Sequence, residues 1–368
     1  MSTTSSAGSG RSSDVSERPR VRLTDSTLRD GANAIGHRFT PEQVAVIARG
    51  LDQAGMHTIS VGHGEGLGAS SIQYGRGRHR DEDLVAAAAA VIERAQLAVI
   101  MLPGIGTKTH IELARARGAT LARVSTHCTE ADVGIQHIGL ARTLGMTVYG
   151  DLMMSHMAPP ETLATQARVM EDAGADGVYL MDSAGAMTMD AVRARVAALR
   201  DALDVPVGIH AHNNLSLAVA NTIAAIEEGA TLADACLAGL GAGAGNCQME
   251  SLVAVLERLG IHTGVDLWAL QDLADHVVRP LMTRPPTIDR FTLTLGYAGL
   301  ASTFLLHANR AAARFGVDAR DLMVEVGRRK AVAGQEDLLI EVAARLAGRA
   351  AGTGRAPSVA TSSTGSEG

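Results

Sequence analysis

From Val21 onward, short runs rich in aliphatic and β-branched residues alternate with stretches whose apolar positions recur every three or four residues. The first kind predicts strands at 21–29, 57–63, 96–104, 120–128, 146–154, 177–183, 206–212 and 231–240. The second predicts helices between them. In "TPEQVAVIARGLDQAG", Thr40 is placed as N-cap, Pro41 takes the first helical position, Gln43 completes a capping box and Gly55 ends the helix. "LATQARVMEDAGAD" and "SLAVANTIAAIEEGA" read as helices in the same way. Eight strand–helix units within 21–262 imply a parallel sheet closed into a (β/α)8 TIM barrel, with a doubly wound open sheet as the alternative. After 262 the strand-like runs stop. "LWALQDLADHVVRPLM", "STFLLHANRAAARFG" and "LLIEVAARLAGRAA" carry helical periodicity, so 263–352 is expected to form a C-terminal helical domain.

Composition narrows the class. The chain has 368 residues, 46% hydrophobic but only 2% aromatic, so its core must be aliphatic. The net charge is −6 and no basic stripe interrupts it, which argues against nucleic acid as a partner. No apolar run is long enough to predict a membrane span. Cys128, Cys236 and Cys247 are odd in number and lack C-x-x-C spacing, which fits a reducing cytoplasm better than a disulfide framework. The Ser/Gly-rich ends, 1–20 and 353–368, read as disordered tails, the first without the apolar segment of a secretion signal.

In a barrel of this kind chemistry belongs at the C-terminal ends of the strands. Polar residues gather there: Arg29 and Asp30, His63, Thr126 and His127, Asp182 and Ser183, His210 and His212. In "GIHAHNN", His210 and His212 are two apart on a strand and present both imidazoles to one side. With the carboxylate of Asp30 from the first strand end they make a donor set for a divalent metal, and Asn213 and Asn214 are at hand to orient the rings. The bland reading is a pair of hydrogen-bonded histidines in a polar barrel layer. Arg29 beside such a metal can bind a substrate carboxylate or an oxygen that becomes negative. Its bland reading is a salt bridge to Asp182 or Glu65.

Other patterns carry less. "GHGEGLG" and "GLGAGAGN" lack the strand–turn–helix frame and the downstream acid of a dinucleotide loop. They are expected to be turns that need positive φ or close backbone approach, the second with N–H groups available to an anion. "DLMMSHM" reads as an adaptable Met-rich barrel mouth rather than a copper site. Tyr297, in "TLGYAGL", is expected in a Gly-flanked loop of the helical domain.

Taken together, "TLRDG", "THCTEAD", "LMMSHM", "DSAGAM", "HAHNNLSLAVAN", "GLGAGAGN" and "LGYAGL" resemble the 4-hydroxy-2-oxovalerate aldolases, within the wider group of metal-dependent barrel lyases related to HMG-CoA lyase. The resemblance runs from about Val21 to Ala350. It implies reversible cleavage of a 4-hydroxy-2-oxoacid to pyruvate and a short aldehyde with a divalent metal, commonly Mn2+, with Co2+ or Mg2+ as alternatives. It implies Asp30, His210 and His212 as metal ligands, Arg29 steadying the enolate oxygen, Ser183 binding pyruvate and Tyr297 reaching the substrate pocket. It further implies a hetero-oligomer with an acylating aldehyde dehydrogenase, in which the helical domain takes part.

By the same resemblance, the residue three after the Asp of "RDG" is a histidine that takes the proton of the 4-hydroxyl. Here it is Asn33, whose amide cannot act as a general base. Three readings follow. Another group accepts the proton, such as metal-bound hydroxide, Tyr297 or His63. Or the enzyme acts mainly in synthesis, with Asn33 holding the hydroxyl. Or the chain is a catalytically weakened subunit that stabilises its dehydrogenase partner. A Claisen-type, acyl-CoA-dependent synthase is a further alternative, which the "GYAG" segment argues against.

Overall fold

A computed structural model describes residues 21–353 except 333; of the expected tails, 1–20 and all of 353–368 but Thr353 lie outside the described residues, and Thr353 ends the last helix. The eight strands are β1 Arg22–Asp25, β2 Thr58–Ser60, β3 Gln96–Met101, β4 Leu121–His127, β5 Thr147–Met153, β6 Gly177–Asp182, β7 Val207–Ala211 and β8 Leu232–Ala235. Each pairs in parallel with the next, and β8 closes on β1 with Leu23 opposite Ala233. The closed TIM barrel is the expected fold; the open sheet is ruled out. The strands are shorter than their apolar runs because the last residues of each run turn into the mouth loops.

Helix 41–53 shows how literally the local signals were obeyed. Thr40 accepts from the Gln43 N–H at 3.3 Å, and the Gln43 side chain accepts from the Thr40 N–H at 2.9 Å. Gly55 follows with φ +88°, and a Cβ there would lie 2.7 Å from the Gly264 carbonyl oxygen. The apolar faces of the outer helices bury Val44, Ile47 and Leu51, Leu163 and Met170, Val192 and Leu199 against the sheet.

The barrel interior is partly polar. Arg123 of β4 lies fully buried between Asp151 of β5 and Asp234 of β8, with Nε 3.1 Å from both Asp151 oxygens and the guanidinium 4.0 Å from the Tyr179 ring centroid. The Nη1–Asp234 Oδ2 distance is 2.5 Å. One cation against two carboxylates in a site closed to water is supported by further donors, the Ser125 hydroxyl to Asp151 Oδ2 and His210 Nδ1–H to Asp234 Oδ2, while Asp234 Oδ1 meets none.

Beyond the barrel, helix Leu267–Leu273 and the π turn Ala274–Val278 pack Leu270, Leu273, Ala274 and Val278 into the barrel's own core. A second core starts later. Helices Arg290–Ala298, Phe304–Phe315, Ala319–Arg328 and Leu338–Thr353 enclose Leu295, Phe304, Leu322, Met323, Leu339 and Val342. Helical periodicity announces a helix at 267 but not which core it joins. The helical unit touches the barrel mouth where the His156 Nε2–H donates to the Gly299 carbonyl at 3.0 Å. Among the described residues no helix is long and apolar enough to cross a membrane.

Candidate active site

At the C-terminal end of the barrel lies a cavity of about 550 Å3, within the range of small-molecule sites. Its floor carries Arg29, Asp30, His210 and His212. Asp30 Oδ2 is 3.2 Å from His210 Nε2 and 3.4 Å from His212 Nε2, and the two Nε2 atoms are 3.3 Å apart. All three residues are buried. Hydrogen bonding alone is an uneconomical account of three donors meeting in one point. Ligand atoms at neighbouring positions around an ion with bonds of about 2.1 Å would sit about 3 Å apart. The residues therefore fit a divalent ion, and the expected donor set is brought together.

The neighbours fix the ligands. His210 Nδ1–H donates to Asp234 Oδ2 at 3.0 Å, which leaves the Nε2 lone pair facing the site. Asn246 Nδ2 donates to Asp30 Oδ2 at 2.9 Å, and Asn33 Nδ2 donates to Asp30 Oδ1 at 3.2 Å. Burial pushes the Asp30 carboxyl up, but the charges of Arg29 and His212 hold it well below the usual carboxylate range. Burial pulls His212 down to about 4. His210 is buried too, yet the carboxylates of Asp234 and Asp30 raise it above its ordinary value.

Arg29 has Nη1 3.3 Å from the Gly64 carbonyl and 3.8 Å from Asp30 Oδ2, whereas its buried Nε and Nη2 meet no hydrogen-bond partner. A buried guanidinium with two idle donors beside a ligand trio is arranged to receive an anionic oxygen. The anticipated bridge to Asp182 does not form. Burial raises Asp182 to about 6, and its carboxylate accepts from the N–H groups of Ala186 and Met187, shaping the turn that presents Ser183. Ser183 lines the cavity and accepts from the Met154 N–H at 3.0 Å, leaving its hydroxyl proton free to point inward. Met154 sits in the left-handed region at φ 55°, a strain held by this bond at the cavity wall.

Two expected participants are elsewhere. Tyr297 is not in a loop but within helix Arg290–Ala298, is 76% exposed and does not line the cavity. The turn after that helix supplies Ala301, Ser302 and Thr303 to the wall instead. A Gly-flanked tyrosine looks like a loop residue in sequence, but Gly299 is the helix's left-handed stop at φ 67°. His63 is also outside the cavity lining. Its Nε2 is 3.0 Å from the Gly75 carbonyl, its Nδ1 accepts from the Glu65 N–H, and its ring stacks on His37 at 3.7 Å. Thr126, His127, Met153 and Met154 do line the cavity. Sequence reasoning gave no role to Asp234 or Asn246, and placed Glu65 only as an alternative ion-pair partner of Arg29. For Asp234 a signal existed: a lone acid inside an apolar strand run, which is unaffordable unless paired. Asn246 had none, and nothing pointed to chemistry at Glu65, because loops set their positions.

Comparison with known proteins agrees with this architecture. Residues 20–277 match the HMGL-like family, and 286–348 match the DmpG-like communication domain. A 4-hydroxy-2-oxovalerate aldolase of Carboxydothermus hydrogenoformans is 56% identical over 327 residues, covering 89% of this chain and 97% of that protein. One from Chloroflexus aurantiacus is 55% identical over 328 residues, covering 89% and 96%. Among solved structures, the carboxyl transferase domain of Rhizobium etli pyruvate carboxylase with pyruvate and biocytin superposes with a TM-score of 0.75 at 16% identity, covering 90% of this chain and 61% of that one, and so shares the fold. By its barrel, its appended helices and these relatives, the chain belongs to the 4-hydroxy-2-oxovalerate aldolase family of carbon–carbon lyases.

Proposed function

We propose that this protein is a divalent-metal-dependent (class II) pyruvate aldolase that reversibly cleaves a 4-hydroxy-2-oxoacid, such as 4-hydroxy-2-oxovalerate, to pyruvate and a short aldehyde. The observation that carries the reading is Arg29, buried with two unpartnered nitrogens beside the converged Asp30, His210 and His212. Those three residues would hold the ion, with Mn2+ the favoured occupant and Co2+ or Mg2+ also compatible with its N and O donors. The ion supplies Lewis acidity toward a 2-oxoacid. The protein does the rest. Arg29 faces the oxygen on which charge develops as the carbon–carbon bond breaks, at a place screened from water. Ser183 donates its hydroxyl proton to the pyruvate portion. Asp234 and Asn246 keep the ligand atoms oriented.

The communication-domain match supports an acylating aldehyde dehydrogenase as partner, one that consumes the aldehyde.

Two measurements test the reading: Mn2+ binding, and exchange of the pyruvate methyl protons with solvent. The wild type should bind one ion and catalyse exchange. His212→Ala should lose both, more severely than the about 10–100-fold typical for an outer-shell partner. Equal metal retention in the two proteins would remove these residues as ligands. Wild-type protein that binds the ion but catalyses no exchange would favour a weakened subunit that stabilises its dehydrogenase.

A further inference from the structure

Cleavage requires a group that takes the proton of the 4-hydroxyl, and the cavity walls limit the choice. The Asn33 amide cannot accept it. Tyr297 lies outside the cavity, and both nitrogens of His63 are engaged. Asp30, His210 and His212 direct their lone pairs at the ion site. Four titratable side chains remain on the walls: Glu65 and Tyr74 on one side, His127 and Glu130 on another. Burial raises the Tyr74 phenol above its ordinary value, so it is no acceptor near neutrality. His127 feels the charge of Glu130 but none from the ligand trio. Glu65 feels the charges of Asp30 and Arg29, and its own segment meets Arg29 directly, at the Gly64 carbonyl.

Its position is built rather than incidental. The Glu65 N–H donates to His63 Nδ1 at 3.1 Å, and the preceding carbonyl, of Gly64, accepts from Arg29 Nη1. The Asn33 amide favours the ionised Glu65 carboxylate, and its Nδ2 donates to Asp30 Oδ1 at 3.2 Å. Gly64 permits this approach, since a Cβ there would lie 2.3 Å from Asn33 Oδ1. One amide thus sits between the segment that carries Glu65 and the ligand carboxylate.

We infer that Glu65 is the catalytic residue that accepts the 4-hydroxyl proton in cleavage and returns it to the aldehyde oxygen in synthesis, with Asn33 as its positioning residue. This rests on the aldolase reading. In cleavage the O–H proton passes to the Glu65 carboxylate, and the O–H electron pair forms the aldehyde C=O. The C3–C4 bond breaks, its electrons pass to the pyruvate enolate, and a proton added at C3 completes pyruvate. No outside oxidant or reductant is needed. Burial first, then the Asp30 charge, raises the Glu65 carboxyl to about 6, while Arg29 and the Asn33 bond oppose the rise. His37, His63 and Tyr74 from neighbouring loops, Arg284 from the segment before the helical unit, and His307 and Glu336 from that unit are the other titratable groups around this wall. A cation at Asp30 lowers Glu65 further, so the working base is ionised at neutral pH.

The test uses full-length, Mn2+-loaded protein. It measures 4-hydroxy-2-oxovalerate cleavage against pH, pyruvate methyl-proton exchange, and Mn2+ affinity. Glu65→Gln should lower kcat for cleavage by about 10²–10⁴-fold. Mn2+ affinity should be retained, and the acid limb of the rate profile, which in the wild type falls at or below about 6, should vanish. Glu65→Asp should keep that limb at reduced rate. A Glu65→Gln variant as fast as the wild type overturns the proposal and leaves the aldolase reading standing. So does a full loss in His127→Asn with none in Glu65→Gln. If Glu65→Gln fails to fold or to bind Mn2+, Glu65→Asp decides: a flat acid profile overturns the proposal, a retained limb upholds it. Wild-type protein that neither cleaves nor exchanges overturns the aldolase reading and this proposal with it.

Discussion

The Nδ1 proton of His210 is held by Asp234, and Asp234 is held in turn by Arg123. This chain decides how His210 behaves toward protons and metal. Burial alone would lower the His210 pKa, but the Asp234 and Asp30 carboxylates raise it above 6.5. A proton therefore competes with the ion already at a pH where an ordinary imidazole would be neutral. Mn2+ affinity should fall as pH drops through that range, by at most about tenfold per pH unit for one displaced proton. Asp234→Asn removes the carboxylate that favours the imidazolium, so it should move this fall to lower pH. At high pH it should still weaken binding by about 10–100-fold, because the ring loses its orienting acceptor. Titration calorimetry at several pH values reads both effects, and an affinity that is flat across about pH 6–8 contradicts the assignment of His210 as ligand.

At the scale of elements, helix Arg290–Ala298 is seated on the loops after β6 and β7. Gly296 makes the close approach possible: a Cβ there would lie 2.9 Å from Leu215 Cγ, 3.0 Å from Asn214 Cβ and 3.1 Å from the Gly185 carbonyl oxygen. Asn214 is itself buried, donating to the Ala184 carbonyl and accepting from the Ala244 N–H. A side chain at 296 must push the helix outward, and with it the Ala301–Thr303 turn that lines the cavity. Gly296→Val should cost about 1–3 kcal/mol of stability by overpacking. KM for the oxoacid should rise more than kcat falls. Urea melts and steady-state kinetics measure the two, and unchanged KM would mean that the turn does not follow the helix.

The whole molecule has two cores that meet at the barrel mouth, and the outer side of the second leaves apolar residues in water. Leu293 and Tyr297, one helical turn apart and so on one face, are 47% and 76% exposed, and Leu306 is 55% exposed. Such residues on a unit matching a communication domain suit a protein contact. Leu293→Asp with Tyr297→Asp should weaken a complex with an acylating aldehyde dehydrogenase by about 30-fold or more, the scale of a lost hot spot. Sedimentation of the co-expressed pair checks this. Two independent species with the unaltered protein would end the partner hypothesis.

The elements and their order are legible along the chain. Period-2 and period-3.6 patterns, caps such as Thr40 with Gln43, and stops such as Gly55 act over a few residues, so they are legible without knowing the fold. Eight parallel strands then leave few ways to bury their faces, and closure followed. His210 and His212 were readable as a pair because a strand places i and i+2 on one side. Folding in three dimensions supplied everything set by approach across the barrel. It brought Asp30 to within 3.4 Å of both imidazoles, put Asp234 behind His210, and left Arg29 with idle donors. It also carried Tyr297 to the outside and Glu65 to the wall beside Asn33, and it joined helix 267–273 to the barrel core rather than to the helices after it. Loop paths and core membership depend on contacts between residues far apart in the chain, and local periodicity holds no record of them.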